Sequence, residues 1–367
     1  MAGLRVLFAA GGTGGHIFPA VAIADEIKSR YPQAQILFVG ARRGMQTQLV
    51  SQTGYRFKTI AAWSLPRGFS LRALMFPMVL VVGTLQAAWI VITYRPRVAI
   101  GTGGYASGPV LTTAWLLGIP VVIQEQNLLP GVTTRMLTRI ARQVNVSFEQ
   151  TKKYLSNYHN LVVCGNPTRR EIGTVTRPEA HRRLGLDSSK KTVLVFGGSQ
   201  GASRINQALL EALGELSGAS NLQILWQTGK KDYPKVKKKT RSFSLPVIVW
   251  DFIVDMASAL GAADLVISRS GATTIAELTR CGLPSILVPY PYATRFHQQQ
   301  NARVLLEAGA CRLIADRELN GRRLATIIRE LLNNKRELQQ MAENSRKLAR
   351  PRAAELIVST MIKNGLI

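Results

Sequence analysis

Glycine clusters placed directly after short apolar runs are where this chain gathers groups that could do chemistry. Arg5–Ala10 leads into Gly11-Gly12-Thr13-Gly14-Gly15-His16. Val98-Ala99-Ile100 leads into Gly101-Thr102-Gly103-Gly104-Tyr105-Ala106-Ser107-Gly108-Pro109, and Thr192–Phe196 into Gly197-Gly198-Ser199-Gln200-Gly201-Ala202. Each missing Cβ removes a steric barrier to a ligand. A helix starting at such a loop also presents unpaired N–H groups and a positive dipole end to a phosphate. His16, at the mouth of the first cluster, can take or give a proton near neutral pH; the plainer reading is a helix-start histidine bonded to backbone. Glu125 is the only carboxylate between Glu26 and Glu149, and it follows the apolar run Val121-Val122-Ile123. At the end of a strand it is placed to act as a base, to orient His16 or a sugar hydroxyl, or to form a structural ion pair.

The second half repeats the pattern with different chemistry. Val266-Ile267-Ser268-Arg269-Ser270-Gly271 leads into Ala272-Thr273-Thr274-Ile275-Ala276-Glu277. Ser270 or Gly271 can cap that helix, and Gly282 with Pro284 ends it. Its amino end suits a diphosphate, and Glu277 can accept hydrogen bonds from both hydroxyls of a ribose. Pro289-Tyr290-Pro291-Tyr292, followed by His297-Gln298-Gln299-Gln300-Asn301, supplies amide side chains that suit sugar hydroxyls. There is no Asp-x-Asp pair and no His/Cys grouping, so the sequence calls for no metal and no cofactor.

These residues need elements to hold them, and strand and helix signals alternate throughout, as in doubly wound α/β sheets. Strands are predicted at 5–10, 35–39, 98–101, 121–124, 144–147, 193–196, 223–227, 247–251, 265–268 and 285–288. In the first half, helices are predicted at 19–29, 43–52, 71–93, 109–117 and 133–140. At 367 residues, with 46% hydrophobic and 19% charged, two globular domains are expected. The stretch from Asn166-Pro167 to about Leu186 reads as the crossing between them. The tail beyond Arg350 reads as an amphipathic helix able to pack on either. Cys164, Cys281 and Cys311 have no paired spacing and read as reduced thiols of a cytoplasmic protein; no cleavable signal precedes the first strand.

The net charge of +26 points to a polyanionic partner. Nucleic acid is disfavoured, because no zinc spacing, ribonucleoprotein motif or recognition helix accompanies the charge. An anionic membrane surface together with phosphate-bearing substrates accounts for it. The densest basic run, Lys235 with Lys237-Lys238-Lys239, reads as a solvated loop. Ala73–Tyr94 carries no formal charge and is flanked by Arg67, Arg72, Arg95 and Arg97. By length it could span a bilayer. Its Pro77, Gly83, Thr84, Gln86 and Thr93, and its place between strands, favour a domain helix. One face of that helix would lie in the core, and an apolar, arginine-rimmed end, with Leu74, Met75, Phe76, Met78 and Trp89 as candidates, would dip into the lipid interface. A wholly buried helix is the third reading.

Taken together and in order, Gly11–Pro19, Gly101–Pro109, Glu125–Asn127, Gly165–Pro167, Gly197–Ala202, Phe252–Met256, Arg269–Glu277 and Gln298 to Asn301 resemble the MurG family of peptidoglycan glycosyltransferases over essentially the whole chain. The resemblance implies an α/β GT-B fold, with two Rossmann-like domains and parallel sheets around an interdomain cleft. It places an acceptor and membrane-associating domain at 1–166, with a returning helix at 346–367, and a donor domain at 167–345. It further implies that Thr13, Gly14 and Gly15 lie at the donor–acceptor junction and that Asn127 contacts the donor sugar. Arg169 and Ser199 would face the diphosphate, Ile253 the uracil, Ala272, Thr273, Thr274, Ile275, Ala276 and Glu277 the phosphates and ribose, and Gln298 the sugar. The implied reaction inverts UDP-N-acetylglucosamine onto the 4-hydroxyl of the muramoyl sugar of undecaprenyl-diphospho-N-acetylmuramoyl-pentapeptide (lipid I), giving lipid II for peptidoglycan and so for cell shape and division. His16 or Glu125 would be the base. The implied location is peripheral, at the cytoplasmic face of the bacterial inner membrane. Arg295-Phe296 stands where many relatives carry an acid. The rival readings are a UDP-N-acetylglucosamine 2-epimerase of the same fold and a basic, non-enzymatic binding scaffold.

Overall fold

The computed structural model describes residues 3–11, 14–41, 50, 53–64, 71–155 and 160–367. Thr13 and nearly all of the helix expected at 43–52 therefore lie outside the described residues. The chain divides into two compact units, Met1–Arg169 with Arg350–Ile367, and Arg170–Ala349.

In the first unit, β1 (Arg5–Ala10), β2 (Gln35–Ala41), β3 (Arg56–Ile60), β4 (Val98–Gly103), β5 (Val121–Glu125), β6 (Gln143–Val146) and β7 (Leu161–Val163) form a parallel sheet in the order β3-β2-β1-β4-β5-β6-β7. Its central strands are continuous apolar runs because helices cover both faces. The chain leaves β1 for β2 on one side and later enters β4 on the other, so the topological switch point lies between β1 and β4. α1 (Gly14–Arg30) packs on one face with the last helix of the chain, Ala353–Lys363. Ile357, Val358 and Met361 of that last helix are fully buried, each burial stabilising by roughly 1.5–3 kcal/mol. Arg30 Nη1 donates to Ser359 Oγ at 2.9 Å across the same contact.

α2 (Leu71–Tyr94) and α3 (Ser107–Leu116) cover the other face. Ala87, Ile90 and Val91 of α2 are buried, Ala61 N donates to Gln86 Oε1 at 2.7 Å, and Gly83 abuts the Ala61 carbonyl. The opposite stripe, Leu74, Met78, Val81, Leu85, Trp89 and Ile92, is open; Leu74 is 77% and Trp89 70% exposed. The spacing of three and four residues puts all six on one helical face. This corrects the wholly buried reading. Trp115, Leu116 and Leu117, at the end of α3, are exposed as well.

In the second unit, β8 (Lys191–Phe196), β9 (Leu222–Gln227), β10 (Val247–Trp250), β11 (Leu265–Ser268), β12 (Ser285–Leu287) and β13 (Cys311–Leu313) form a parallel sheet in the order β10-β9-β8-β11-β12-β13. Its switch point lies between β8 and β11. Three strands were not expected from sequence: β3, β7 and β13. All three end a sheet and are short or half-exposed, so none shows a continuous apolar run. The presumed crossing at 167–186 contains a helix, Arg177–Leu184, ended by Gly185 at φ +64° and packed on Met256–Ala262 of the second unit. The lysine-rich run is also a helix, Tyr233–Thr240, not a loop. Lysine is a good helix former, and burial of Val236 and Thr240 anchors one side.

Burial pushes the thiols of Cys164, Cys281 and Cys311 up to about 12; at Cys281 the charge of Glu277 adds to the effect. A thiol raised in this way stays neutral, and so poorly nucleophilic, from neutral pH up to strongly alkaline pH. Iodoacetamide at pH 8 should therefore leave the native chain largely unlabelled and label all three thiols after denaturation. Fast labelling of the native protein, read by mass spectrometry, would contradict this packing.

Candidate functional site

Parallel strands release their loops at one edge; in the first unit the loops on either side of the switch point lie against one another, and in the second the loops after the neighbouring strands β8 and β9 do. In the first unit, Gly11 N donates to Gly103 O at 3.2 Å. Gly104 takes φ +85°, and a Cβ there would stand 2.3 Å from the Gly11 carbonyl oxygen. Ser107 Oγ ties the β4 loop down by donating to Ala9 O at 2.9 Å and Gly103 O at 2.8 Å. Gly14, Gly15 and His16 begin α1 directly beyond this contact.

His16 is half-buried. Its Nδ1 lies 2.9 Å from Thr102 O and 3.3 Å from Gln126 Oε1. A carbonyl oxygen can only accept, so Nδ1 carries the proton and the neutral ring keeps its lone pair on Nε2. Thr102 Oγ1 donates back to His16 O at 2.7 Å, and Gln126 Nε2 donates to Thr102 O at 2.6 Å. Position, tautomer and ring plane of His16 are thus held by two residues that sequence reasoning did not single out. Gln126 sits beside Glu125 in the motif, but its partner is 110 residues away, and nothing local reveals the pairing.

Glu125 is 3% exposed and accepts four hydrogen bonds. Asn127 N at 3.0 Å and Asn127 Nδ2 at 3.3 Å reach Oε1; Gly131 N at 3.1 Å and Thr134 Oγ1 at 2.6 Å reach Oε2. Those donors occupy the lone-pair directions of a carboxylate. Glu125 is built as the anchor of the turn from Asn127 to α4 (Val132–Leu137), and among the described residues it has no ion pair. The structural alternative for Glu125 was an ion pair, and a donor cluster of neutral groups takes its place. Arg169 closes the first unit, with its guanidinium carbon 4.7 Å from the centre of the Phe18 ring.

The second unit assembles a separate set. Gly198 takes φ +89° and Gly201 φ +78°; a Cβ on Gly201 would lie 2.0 Å from Thr228 O, and one on Gly229 2.3 Å from Gln200 O. Gln227, at the end of β9, donates to Gly198 O at 2.9 Å and accepts from Ile253 N at 2.8 Å. It thereby joins the Ser199 loop to Ile253, again unseen from sequence. Gly271, with no side-chain bond, caps α9 (Ala272–Cys281). Ser270 is otherwise engaged: its Oγ donates to Gln298 O at 2.8 Å, while Gln298 Oε1 accepts from Tyr290 N at 2.9 Å. Ala272, Thr273, Ile275 and Glu277 are buried, whereas Thr274 and Ala276 are partly open. Arg269 holds this corner together, donating to Val288 O, Pro289 O and Asp316 Oδ1 at 3.1, 3.2 and 2.6 Å. Arg295 and Phe296 both adopt positive φ, +54° and +53°, just before the helix His297–Glu307 that carries Gln298. The structure thus ties Gly198, the residue before Ser199, to Ile253 through Gln227, and Gln298 to the start of α9 through Ser270. In the first unit it brings His16 to Gln126, beside Glu125. Among the described residues, no three His, Cys, Asp or Glu side chains form a metal-ligand set.

Comparison with known proteins names this arrangement. The glycosyltransferase family 28 N-terminal domain matches residues 6–146 and the corresponding C-terminal domain residues 192–357. A protein of Desulforamulus reducens is 43% identical over 366 residues, covering 98% of each chain. One of a Thermoanaerobacter species is 42% identical over 358 residues, covering 96% of this chain and 98% of its own. Both are named UDP-N-acetylglucosamine–N-acetylmuramyl-(pentapeptide) pyrophosphoryl-undecaprenol N-acetylglucosamine transferase. The crystal structure of Acinetobacter baumannii MurG superimposes with a TM-score of 0.75 at 28% identity, covering 98% of this chain and 99% of that one. This chain belongs to the MurG family of glycosyltransferases. A UDP-GlcNAc 2-epimerase of Neisseria meningitidis shares the fold, with a TM-score of 0.70, but at 14% identity the likeness extends to fold alone. The two parallel sheets are those of the GT-B architecture that MurG shares with these neighbours.

Replacing Glu125 with Gln keeps its size but turns an amide N–H₂ toward groups that themselves donate. The change should cost about 2–3 kcal/mol, read as a lower Tm and earlier urea unfolding. A variant as stable as the parent would remove Glu125 from its anchoring role.

Proposed function

We propose that this chain moves N-acetylglucosamine from UDP-N-acetylglucosamine to the 4-hydroxyl of the muramoyl sugar of lipid I, forming lipid II with inversion at the anomeric carbon. The observation that carries the reading is identity above 40% across nearly the full length with transferases of that name.

The first unit supplies the base. His16 Nε2 takes the proton of the acceptor hydroxyl, because Thr102 and Gln126 already hold the proton on Nδ1. Glu125, saturated by four donors, acts through the backbone it anchors and leaves the base role to His16. Gly14 and Gly15 line the approach of the acceptor, and Asn127 reaches the donor sugar; Thr13, expected with them, lies outside the described residues. The second unit holds the nucleotide, with uracil against Ile253, ribose on Glu277 and sugar hydroxyls on Gln298. As the anomeric C–O bond to the diphosphate breaks, negative charge develops on UDP. The N–H groups and dipole at the start of α9, with Ser199 and Arg169, stabilise that charge.

The protein works as a peripheral enzyme at the cytoplasmic face of the inner membrane. The open apolar stripe of α2 enters the lipid interface, while the face bearing Ala87, Ile90 and Val91 stays in the unit. A helix tied down along one side in this way cannot leave to span the bilayer without uncovering the core beneath it. Lipid II supply of this kind feeds peptidoglycan synthesis, and through it cell shape and division.

Incubation with labelled UDP-N-acetylglucosamine, with and without a lipid I analogue, tests the reaction. Acceptor-dependent transfer is expected; epimerisation without acceptor, or no turnover, would overturn it. His16→Ala should lower kcat by about 10²–10⁴-fold with the donor KM little changed, and near-normal turnover would dismiss His16 as base. Gln126→Ala should lower kcat in the same direction by less, and Gln126→Glu, which keeps an acceptor for Nδ1–H, should restore part of it. Glu277→Ala should raise the donor KM about tenfold or more; an unchanged KM would refute the ribose assignment.

A further inference from the structure

The helix Tyr233–Thr240 of the second unit, α7 in chain order, carries a charge that its own unit does not answer. Lys235, Lys237, Lys238, Lys239 and the following Arg241 are all exposed, while Val236 and Thr240 are buried and define the inner face. At about 100° per residue, Lys238 lies opposite that face, with Lys235 and Arg241 roughly 60° to either side. The nearest acid in sequence, Asp232, is already taken by Asn206 Nδ2 at 2.8 Å. Among the described residues none of the five basic groups has a carboxylate at ion-pair distance. Elsewhere in the same unit, Arg177, Arg183, Arg269, Arg312, Arg323 and Arg329 are each paired. Of the five basic side chains, Lys237 is bonded within the helix: its Nζ donates to the Tyr233 hydroxyl at 2.7 Å.

Position separates this cluster from the donor site. The helix begins beyond the carboxyl end of β9 and runs back along the sheet to β10, so its last, lysine-rich turn lies toward the edge away from the Ser199 loop. Composition separates it from nucleic-acid readers and from specific phosphate sites. Four of the five charges are ammonium groups on flexible stems, which suit a diffuse anionic surface; a planar guanidinium fork is what bidentate phosphate or base recognition uses. Four to eight clustered basic residues beside a bilayer are attracted to anionic headgroups, each strengthening binding by about fivefold at low salt.

We propose that Lys235, Lys237, Lys238, Lys239 and Arg241 form an electrostatic docking face for anionic phospholipid headgroups, a second contact with the bilayer that is independent of the apolar stripe on α2. The proposal rests on the membrane reading above and adds a purely ionic arm to it.

Flotation of the full-length protein tests the idea, with vesicles of phosphatidylglycerol and phosphatidylcholine compared with phosphatidylcholine alone. Three proteins are compared: the parent, Leu85→Asp on the apolar stripe, and the quadruple variant K235Q/K237Q/K238Q/K239Q. The quadruple variant should lose anionic-vesicle affinity by about a hundredfold or more at low salt, and the difference should shrink at high salt. It should transfer sugar normally to a soluble, short-chain lipid I analogue. If it floats like the parent while Leu85→Asp does not, the ionic arm is refuted and the membrane reading stands. If the parent itself ignores both kinds of vesicle, the membrane reading and the ionic arm are refuted together. Loss of RNA retention in the quadruple variant, without loss of vesicle binding, would reassign the face to nucleic acid and overturn the proposal.

Discussion

Backbone must touch backbone where neighbouring strands of each sheet release their glycine loops, and the rest of each site depends on that contact. Two loops that leave neighbouring parallel strands at the same edge here have no side-chain layer between them. Gly104 against Gly11, Gly201 against Thr228 and Gly229 against Gln200 are the places where this occurs. In each case a Cβ would stand well inside contact distance, and the residues at 104, 201 and 229 also take positive φ. Because the loops are pressed together, the helices that follow start at the sheet edge, where their N–H groups and His16 face outward.

Neutral amide side chains fasten those loops. Gln126 bridges Thr102 and His16, and Gln227 bridges Gly198 and Ile253. Gln298 accepts from Tyr290, and Asn206 joins Trp226 to Thr228. An amide can donate and accept at once, so one side chain satisfies groups on two loops without placing a net charge in a buried position. The few carboxylates serve structure in a related way. Glu125 gathers four donors, and Asp316 neutralises the buried Arg269 that holds the start of α9. With 47 basic residues and 21 acidic ones, most acids are drawn into such roles, and the surplus of positive charge stays on the surface.

That surplus and the apolar surface have separate places. The uncharged stripe lies on α2 of the first unit, held by Ala87, Ile90 and Val91 against the sheet. Lys235, Lys237, Lys238 and Lys239, without a carboxylate at ion-pair distance among the described residues, lie on the helix Tyr233–Thr240 of the second. One surface is apolar and the other charged, and only the second has a field that salt screens.

The alternation of apolar runs with helical patterns, the glycine clusters and the Arg269–Glu277 segment were legible in the sequence. Buried strands must be continuously apolar, and only glycine tolerates the backbone approach that follows them. Edge strands β3, β7 and β13 were not legible, because half-exposed pairing leaves no apolar run. The helix at 233–240 was hidden for a different reason: its anchoring face is only Val236 and Thr240, too narrow to stand out among lysines. Family likeness, carried by ordered motifs, was also present in the sequence alone. Only the tertiary structure decided which nitrogen of His16 carries a proton, that Glu125 is saturated by four donors, and that one face of α2 is open. Each of those depends on partners brought together from distant parts of the chain, and hydrogen bonds and burial are properties of distance in space, which the order of residues does not contain.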